Sequence, residues 1–257
     1  MNPAAGTDAG PDYLRTITEG LRDAVESLDT AMTRGPGDAT NLARQAAEDG
    51  YDQLFVAGGD GTLNEVLNGV AQVPGGWDAV TFGVIPLGTG NDFATAVGIP
   101  EDIERAIQAL VGGTPAAVDM GCLNDAVYFV NVSAGGFMAE VSDAVTPRLK
   151  TFAGKLAYLI GGAQVLFDYE PFRARVVSHG DDATDVEMSL HTYAVCNSPL
   201  VGGGRLIAPA ARLDDGLVDV CLIEAMSTMD FLGLLTRVSS GEHVNDERVR
   251  YFRATDV

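Results

Sequence analysis

Lysine is almost missing from this chain. Of 16 lysines and arginines only Lys150 and Lys155 are lysines, and they stand against 36 acidic residues, for a formal net charge of −20. A surface this acidic repels the phosphates that nucleic-acid binding must neutralise, so no nucleic-acid partner is expected. It also repels an anionic membrane unless salt screens it or basic side chains cluster locally. Two explanations of the imbalance stay open: adaptation to high salt, or a coding bias toward aspartate and arginine. Cysteine and histidine are scarce as well. Cys122, Cys196 and Cys221 are scattered and odd in number, which argues for buried free thiols rather than a disulfide framework. The histidines are equally dispersed, which argues against a zinc site. No apolar run is long enough to span a bilayer, and no charged-then-apolar leader opens the sequence. The expectation is a soluble, cytoplasmic protein.

The 257 residues are 46% hydrophobic, enough for one large domain or two modest ones. The first half alternates helical and strand patterns. Leu14, Ile17, Leu21, Val25 and Leu28 recur at helical spacing and predict a helix from Pro11 to Leu28. A short strand "DTAMT", a helix "GDATNLARQAAEDG", a buried strand "DQLFVAGG" and a helix "TLNEVLNGV" follow. Then come a strand "VTFGVIP" and a helix "IPEDIERAIQALVGG", with acids in its first turn and glycines after its end. This order implies α/β architecture, a mainly parallel sheet with helices on both faces. From about Met120 the pattern turns β-rich: "DAVYFVNVS", "FRARVVSHG", "VEMSLHTYAVCNSP" and "GLVDVCLIEA" are strand-like, several with period-two alternation. Helical "GKLAYLIGGAQVLF" and "TMDFLGLLTRVSSG" interrupt them. The expected division is an α/β domain over 1–119 and a β-rich, incomplete domain over 120–257. Both ends look unusual for such a fold. No strand precedes the loop-like "MNPAAG", and "VRYFRATDV" is expected to stop inside a strand.

Two glycine-rich turns carry the chemistry. Gly58-Gly59-Asp60-Gly61-Thr62 joins a strand to a helix, where glycines let the backbone approach a ligand and helix amides receive phosphate oxygens. It is neither a Walker loop nor a Rossmann fingerprint, because the lysine and the glycine spacing are wrong. An ordinary turn with Asp60 as helix cap is the plain alternative. "PLGTGNDFA", Pro86 to Ala94, follows the next strand and opens another helix; Asp92 there could cap that helix or hold magnesium through its waters. "NPAAG" (Asn2 to Gly6) and "TRGPGD" (Thr33 to Asp38) lie where further strand-to-helix loops belong.

These motifs, with "VDMG", "NVSAGGF" and "GGGRLIAPAARLDDGLVDV", resemble in kind and order the diacylglycerol kinase catalytic-domain family, in its bacterial lipid-kinase branch. The resemblance runs from residue 2 to about residue 220. It implies a three-layer nucleotide domain, a β-sandwich domain and an active site in the cleft between them. It also implies an ATP- and magnesium-dependent kinase acting on a lipid hydroxyl such as that of diacylglycerol, with peripheral contact at the inner membrane surface. A homodimer is one possible assembly. Asn2, Thr33, Gly58, Gly59, Asp60, Gly61, Thr62, Leu63, Asn64, Glu65 and Thr89 match ATP-contacting positions. Asp60 matches the motif's acid beside the transferred phosphate, and Asp60 and Asp92 are the expected catalytic acids. Asp92 and Asp119 match a water-linked set around the catalytic magnesium. Arg212, Asp215 and Leu217 match a second, structural metal site in which arginine and leucine lend carbonyl oxygens. The general base of the resembling branch lies in a late Asp-Gly-Glu motif that is not met before Val257, and "SSGEH" at Ser239 to His243 is no substitute. Little or no kinase activity is therefore expected of these 257 residues. Two other readings stay open: an NAD kinase relative, which shares the GGDG turn, and a catalytically dead nucleotide- or lipid-binding regulator. "FAGKLAYLIGGAQVLF" could line a lipid pocket, though an ordinary buried helix fits it better.

Overall fold

A computed structural model describes residues 1–6, 11–144, 169–180 and 183–257, which fall into two compact units: Met1–Ala117 with Cys122–Tyr128, and Val118–Gly121 with Phe129–Val257. The "GKLAYLIGGAQVLF" segment lies outside the described residues. No helix among the described residues is long and apolar enough to cross a membrane.

In the first unit, α1 (Pro11–Arg22) is followed by α2 (Asp38–Glu48), β1 (Gln53–Gly58) and α3 (Asp60–Val70). A single helical turn, α4 (Gly76–Ala79), then leads to β2 (Thr81–Pro86), α5 (Asp92–Ala96) and α6 (Ile103–Gly112). β1 and β2 run parallel, in register from Gln53 opposite Thr81 to Gly58 opposite Pro86. Ile17 and Leu21 of α1 and Ile107 of α6 bury one face of this pair over Ala57 and Ile85. α2 and α3 pack on each other so closely that a Cβ on Gly69 would lie 2.3 Å from the Thr40 carbonyl oxygen. Asp102 caps α6, its carboxylate accepting from the Arg105 amide.

Three expectations need correction here. α1 ends at Arg22 rather than Leu28, because the chain turns at Ala24, and Leu28 instead packs against the Ile17 cluster. "DTAMT" is not a strand of any sheet; it runs beside Met1, with the Met1 amino group donating to the Ala31 carbonyl and the Thr33 amide to the Met1 carbonyl. "DAVYFVNVS" is two strands, Val127–Phe129 and Val132–Gly136.

A ribbon of β3 (Gly121–Leu123) and β4 (Val127–Phe129) precedes β5 (Val132–Gly136) and α7 (Phe137–Ala144). Then come β6 (Phe172–Ser178), β7 (Thr184–Cys196), the small hairpin β8 (Leu200–Val201) and β9 (Arg205–Leu206), and β10 (Val218–Glu224). α8 (Thr228–Val238), a 3-10 turn (Glu242–Asn245) and β11 (Val249–Ala254) close the second unit. Its antiparallel sheet runs β11-β10-β7-β5, and β7 is long enough to pair with β6 along its first half. Alternation along β10 puts Cys221 and Ile223 into a core with Phe231 and Leu234 of α8, and Val220 and Leu222 into a second cluster with Leu190. Both sheet faces are thus covered, as the sandwich-like expectation requires. β11 ends at Ala254, so "VRYFRATDV" does not stop inside a strand: the chain leaves the sheet and Asp256 bridges to His179.

Candidate functional site

Parallel strands bring their carboxyl ends to one edge, and the loops leaving that edge are where open α/β sheets bind ligands. Beyond β1, Gly59 and Asp60 enter α3; beyond β2, residues 87–91 lead into α5. The Leu87 amide donates to the Gly58 carbonyl at 2.9 Å, closing the edge. The loops then touch backbone to backbone: a Cβ on Gly88 would lie 2.5 Å from the Gly59 Cα. Only a residue without a side chain fits there. The Asn2–Gly6 loop joins them. Gly6 has a left-handed φ of 74°, and a Cβ on it would lie 2.4 Å from the Leu87 carbonyl oxygen. The Asn2 amide donates to the Ala57 carbonyl, and its side-chain amide donates to the Thr62 Oγ1 at 2.9 Å. Thr62 folds back over the turn, since a Cβ on Gly58 would meet it at 2.7 Å. Three of the loops singled out in the sequence are one constellation.

Asp60 does not cap its own helix. Its two carboxylate oxygens accept the amides of Asp92 at 3.1 Å and Phe93 at 3.0 Å, so it caps α5, in the other loop. A carboxylate at a helix N-terminus is favoured by the unsatisfied amides and by the helix dipole. Asp92 is accordingly not the N-cap of α5. That position is Asn91, at φ 53°, and Asp92 is the first helical residue, buried at 6% exposure. The Asn91 side chain donates to the Gly88 carbonyl, while its own Oδ1 is buried without a hydrogen-bond partner. α3 begins at Gly59 with no side-chain cap, so its first-turn amides point at the same edge.

The other expected nucleotide contacts divide. Thr33 donates its amide to Met1, and Thr89 is half-buried in the β2 loop. Gly61 is exposed, with open space where a side chain would go. Asn64 gives its carbonyl to the side chain of Asn68. Glu65 reaches across to α2, where its Oε2 accepts the Ala39 amide at 3.2 Å. Leu63 stands apart: its side chain is core at 2% exposure and its amide is bonded to the Gly59 carbonyl.

The remaining acids form a second cluster, within the second unit. The Asp119 amide donates to the Leu213 carbonyl at 2.6 Å, and its carboxylate accepts the Gly216 amide at 2.7 Å. The Arg212 guanidinium pairs with Asp214 at 3.1 Å. Asp215 Oδ1 accepts the Leu217 amide, while Oδ2 is buried without a hydrogen bond and 3.8 Å from the Arg253 guanidinium. Among the described residues no group of three or more His, Cys, Asp or Glu draws together as a metal cage. A cation here would need backbone carbonyls and water beside Asp215, which is the donor set of a hard oxygen-seeking ion. The buried Asp215 Oδ2, which accepts no hydrogen bond, fits that role. "SSGEH" is structural: Gly241 opens the 3-10 turn and His243 is wholly buried, its Nε2 on the Ile207 carbonyl.

Four supporting residues were not legible as such in the sequence. Asn197, buried at 1% exposure, donates to the carbonyls of Asp119 and Val130 and fixes the Asp119 backbone. Its position in "CNSP", directly after a buried strand, is the signal that could have found it. Asp219 is buried beside Asp215 and hydrogen-bonded by the Tyr251 hydroxyl; burial pushes its carboxyl above the usual range, and burial plus that carboxylate push Tyr251 up. Asn68 grips both the amide and the carbonyl of Tyr128 on β4, at 2.9 and 2.8 Å.

Comparison with known proteins finds two family models along the chain. Residues 1–123 match the diacylglycerol kinase catalytic domain, and residues 131–257 match the YegS C-terminal NAD kinase beta sandwich-like domain. The chain is 35% identical over 257 residues to a diacylglycerol kinase of Bacillus subtilis (strain 168), covering 100% of this chain and 82% of that one. It is 35% identical over 256 residues to a diacylglycerol kinase of Staphylococcus carnosus (strain TM300), covering 100% and 81%. A crystal structure of a diacylglycerol kinase from Bacillus anthracis str. Sterne superposes with a TM-score of 0.76 at 26% identity, covering 98% of this chain and 81% of that chain.

Proposed function

The chain belongs to the diacylglycerol kinase catalytic-domain family, which makes it a lipid kinase, and on that premise we propose that it moves the γ-phosphoryl group of ATP to the hydroxyl of a membrane lipid, diacylglycerol first among the candidates. The observation that carries the reading is the glycine-on-glycine contact of the Gly58–Thr62 and Pro86–Asp92 loops at the carboxyl ends of β1 and β2. Backbone packed that tightly leaves the edge to amide groups, and the uncapped start of α3 supplies them for phosphate oxygens. Asn2, Thr33, Gly58, Gly59, Gly61, Thr62, Asn64, Glu65 and Thr89 are the proposed nucleotide residues; Leu63 contributes packing beneath them. Asp60 holds the start of α5 in place, which fixes where Asp92 stands. Phosphoryl transfer depends mainly on such positioning and on charge stabilisation.

Magnesium would supply the charge neutralisation that phosphoryl transfer needs. In the first unit Asp92 is the proposed acid for a catalytic ion; in the second, Asp119 is a further acid proposed to serve magnesium, and Asp215 with the carbonyls of Arg212 and Leu217 is proposed for a structural ion. The lipid would be reached by peripheral contact at the inner membrane surface. The decisive assay supplies labelled ATP and magnesium with diacylglycerol, phosphatidylglycerol, a sphingoid base or an isoprenoid alcohol in mixed micelles. Label entering diacylglycerol supports the proposal and overturns the expectation of little or no activity; folded protein that neither labels any lipid nor binds ATP refutes it. NAD belongs in the same panel, because the match of residues 131–257 to an NAD kinase beta sandwich-like domain favours that acceptor as the second reading.

A further inference from the structure

The loops at the carboxyl edge of the first unit carry little positive charge. Residues 2–6, 33–38, 58–62 and 86–92 contain the acids Asp38, Asp60 and Asp92 but a single lysine or arginine, Arg34. The 33–38 loop belongs to that edge by its bonds. The Thr33 amide donates to the Met1 carbonyl at 2.9 Å, and the next residue, Asn2, ties itself to Ala57 of β1 and Thr62 of α3. From the other side the Glu65 carboxylate of α3 accepts the Ala39 amide at 3.2 Å, so the start of α2 lies against α3.

The backbone of Arg34 is pinned while its charge is left unused. Its amide donates to Asp38 Oδ2 at 2.8 Å, and the Asp38 amide donates back to the Gly35 carbonyl at 3.3 Å. Gly37, at a left-handed φ of 83°, completes the turn into α2. Elsewhere in the chain carboxylates claim nearby guanidinium groups, as Glu48 claims Arg44, Asp185 claims Arg175 and Glu224 claims Arg250. Arg34 is exposed, and its guanidinium forms no ion pair or hydrogen bond among the described residues, although Asp38 is bonded to its own amide. The start of α2 also differs from that of α3. Glu65 occupies the Ala39 amide and Asp38 stands in the first turn, so carboxylates already take up the favourable end of that helix. A phosphate approaching α2 needs a cation, and Arg34 is the one in the loop.

We propose that Arg34 is a nucleotide-binding residue whose guanidinium receives anionic oxygens of the phosphate chain. The inference rests on the nucleotide reading above and adds a residue to it. A triphosphate brings its negative charges to loops whose own ionisable side chains are otherwise acidic, and Asp38, Asp60 and Asp92 oppose it by Coulomb repulsion. The amides at the start of α3 offset part of that repulsion. A guanidinium offsets more, because its planar fork of donors matches two phosphate oxygens at once and is weakly hydrated. Asp38 holds the Arg34 backbone, so the charge is offered from a fixed turn. Arg34 therefore discriminates by charge: ATP gains from it, and adenosine, which has no phosphate, does not.

Equilibrium dialysis of the whole chain tests this, with ATP and magnesium as one probe and adenosine as the other. Arg34→Ala should weaken ATP binding by about 10-fold or more, the size of a lost charged hydrogen bond, and leave adenosine binding unchanged. Arg34→Lys, which keeps the charge without the fork, should recover part of the loss. Arg22→Ala removes the same charge from the exposed end of α1 and should change ATP affinity by less than about twofold. The melting temperature of Arg34→Ala should match the parent's, since the Arg34 amide and not its side chain holds Asp38. A parent that binds ATP and an Arg34→Ala chain that binds it equally well would overturn this inference alone. An equal loss for adenosine would also overturn it, by showing that no phosphate is involved. A folded parent that binds no ATP would bring down the nucleotide reading with it. If Arg34→Ala keeps its ATP affinity and loses affinity for phosphatidylglycerol vesicles, the phosphate is a lipid's and the proposal falls.

Discussion

Replacing Gly88 by alanine tests the contact on which the functional reading rests. The new Cβ would lie 2.5 Å from the Gly59 Cα, 2.8 Å from the Asn91 Oδ1 and 3.3 Å from the Gly59 nitrogen. Carbon atoms in contact rest about 3.5–4.0 Å apart, so the two loops must separate by about 1 Å. Neither side can give by a rotamer change alone, because the nearest obstacle is backbone. Overpacking of this kind costs about 1–3 kcal/mol, and about 2–4 °C in melting temperature for each of these in a domain of this size. A misplacement of about 1 Å can cost about 100-fold in rate. The assay is ATP affinity with magnesium, measured alongside thermal melting and lipid phosphorylation. Gly112→Ala is the control: it sits at the end of α6 with nothing within 4 Å. Gly88→Ala should weaken nucleotide binding and lower the melting temperature while Gly112→Ala does neither. If Gly88→Ala binds ATP and melts like the parent, the loops are not packed as described and the cradle argument fails.

Other outcomes follow from the same geometry. Asp60→Ala should destabilise by about 0.5–2 kcal/mol, the range for a lost helix cap, read by denaturant titration; an unchanged midpoint would show that Asp60 does not tie α5 down. Asn68→Ala strips partners from a half-buried backbone pair and should cost about 1–3 kcal/mol by the same measurement. His243 is wholly buried and burial lowers its pKa, so the unfolded chain takes up its proton first. Stability from this group is present above about pH 6.5 and lost as pH falls through the window below it, so His243→Leu should flatten that slope. With a net charge of −20, added KCl should raise the denaturation midpoint by screening self-repulsion; no gain with salt would count against salt adaptation.

Periodicity made most of the first unit legible. The 3.6-residue spacing through Ile17 and Leu21 and the apolar "LFVAGG" and "TFGVIP" runs correspond to α1, β1 and β2. It misled at Val25 and Leu28, since a side chain can join a core from a turn as well as from a helix. "DTAMT" has strand composition, but strand pairing is a relation between segments, and composition cannot supply its partner. The glycine loops were visible because glycine is expensive and needs a reason. That Asp60 serves the neighbouring helix was not visible, because 32 residues separate it from the amide it holds. Asn197 and Asp219 were hidden for the same reason: each is one polar residue in an apolar strand context, and only the fold says what it faces.

The grip of Asn68 on Tyr128 has a consequence outside stability. β4 is a three-residue strand in a two-stranded ribbon, and a strand edge with open amide and carbonyl groups is a template for pairing with another molecule. A primary amide offers the same donor and acceptor as a peptide group, so Asn68 stands in for a missing neighbour and leaves nothing at Tyr128 to recruit one. A chain that loses it carries an adhesive edge while still folded, and would show turbidity in concentrated samples beyond what its lower melting point accounts for.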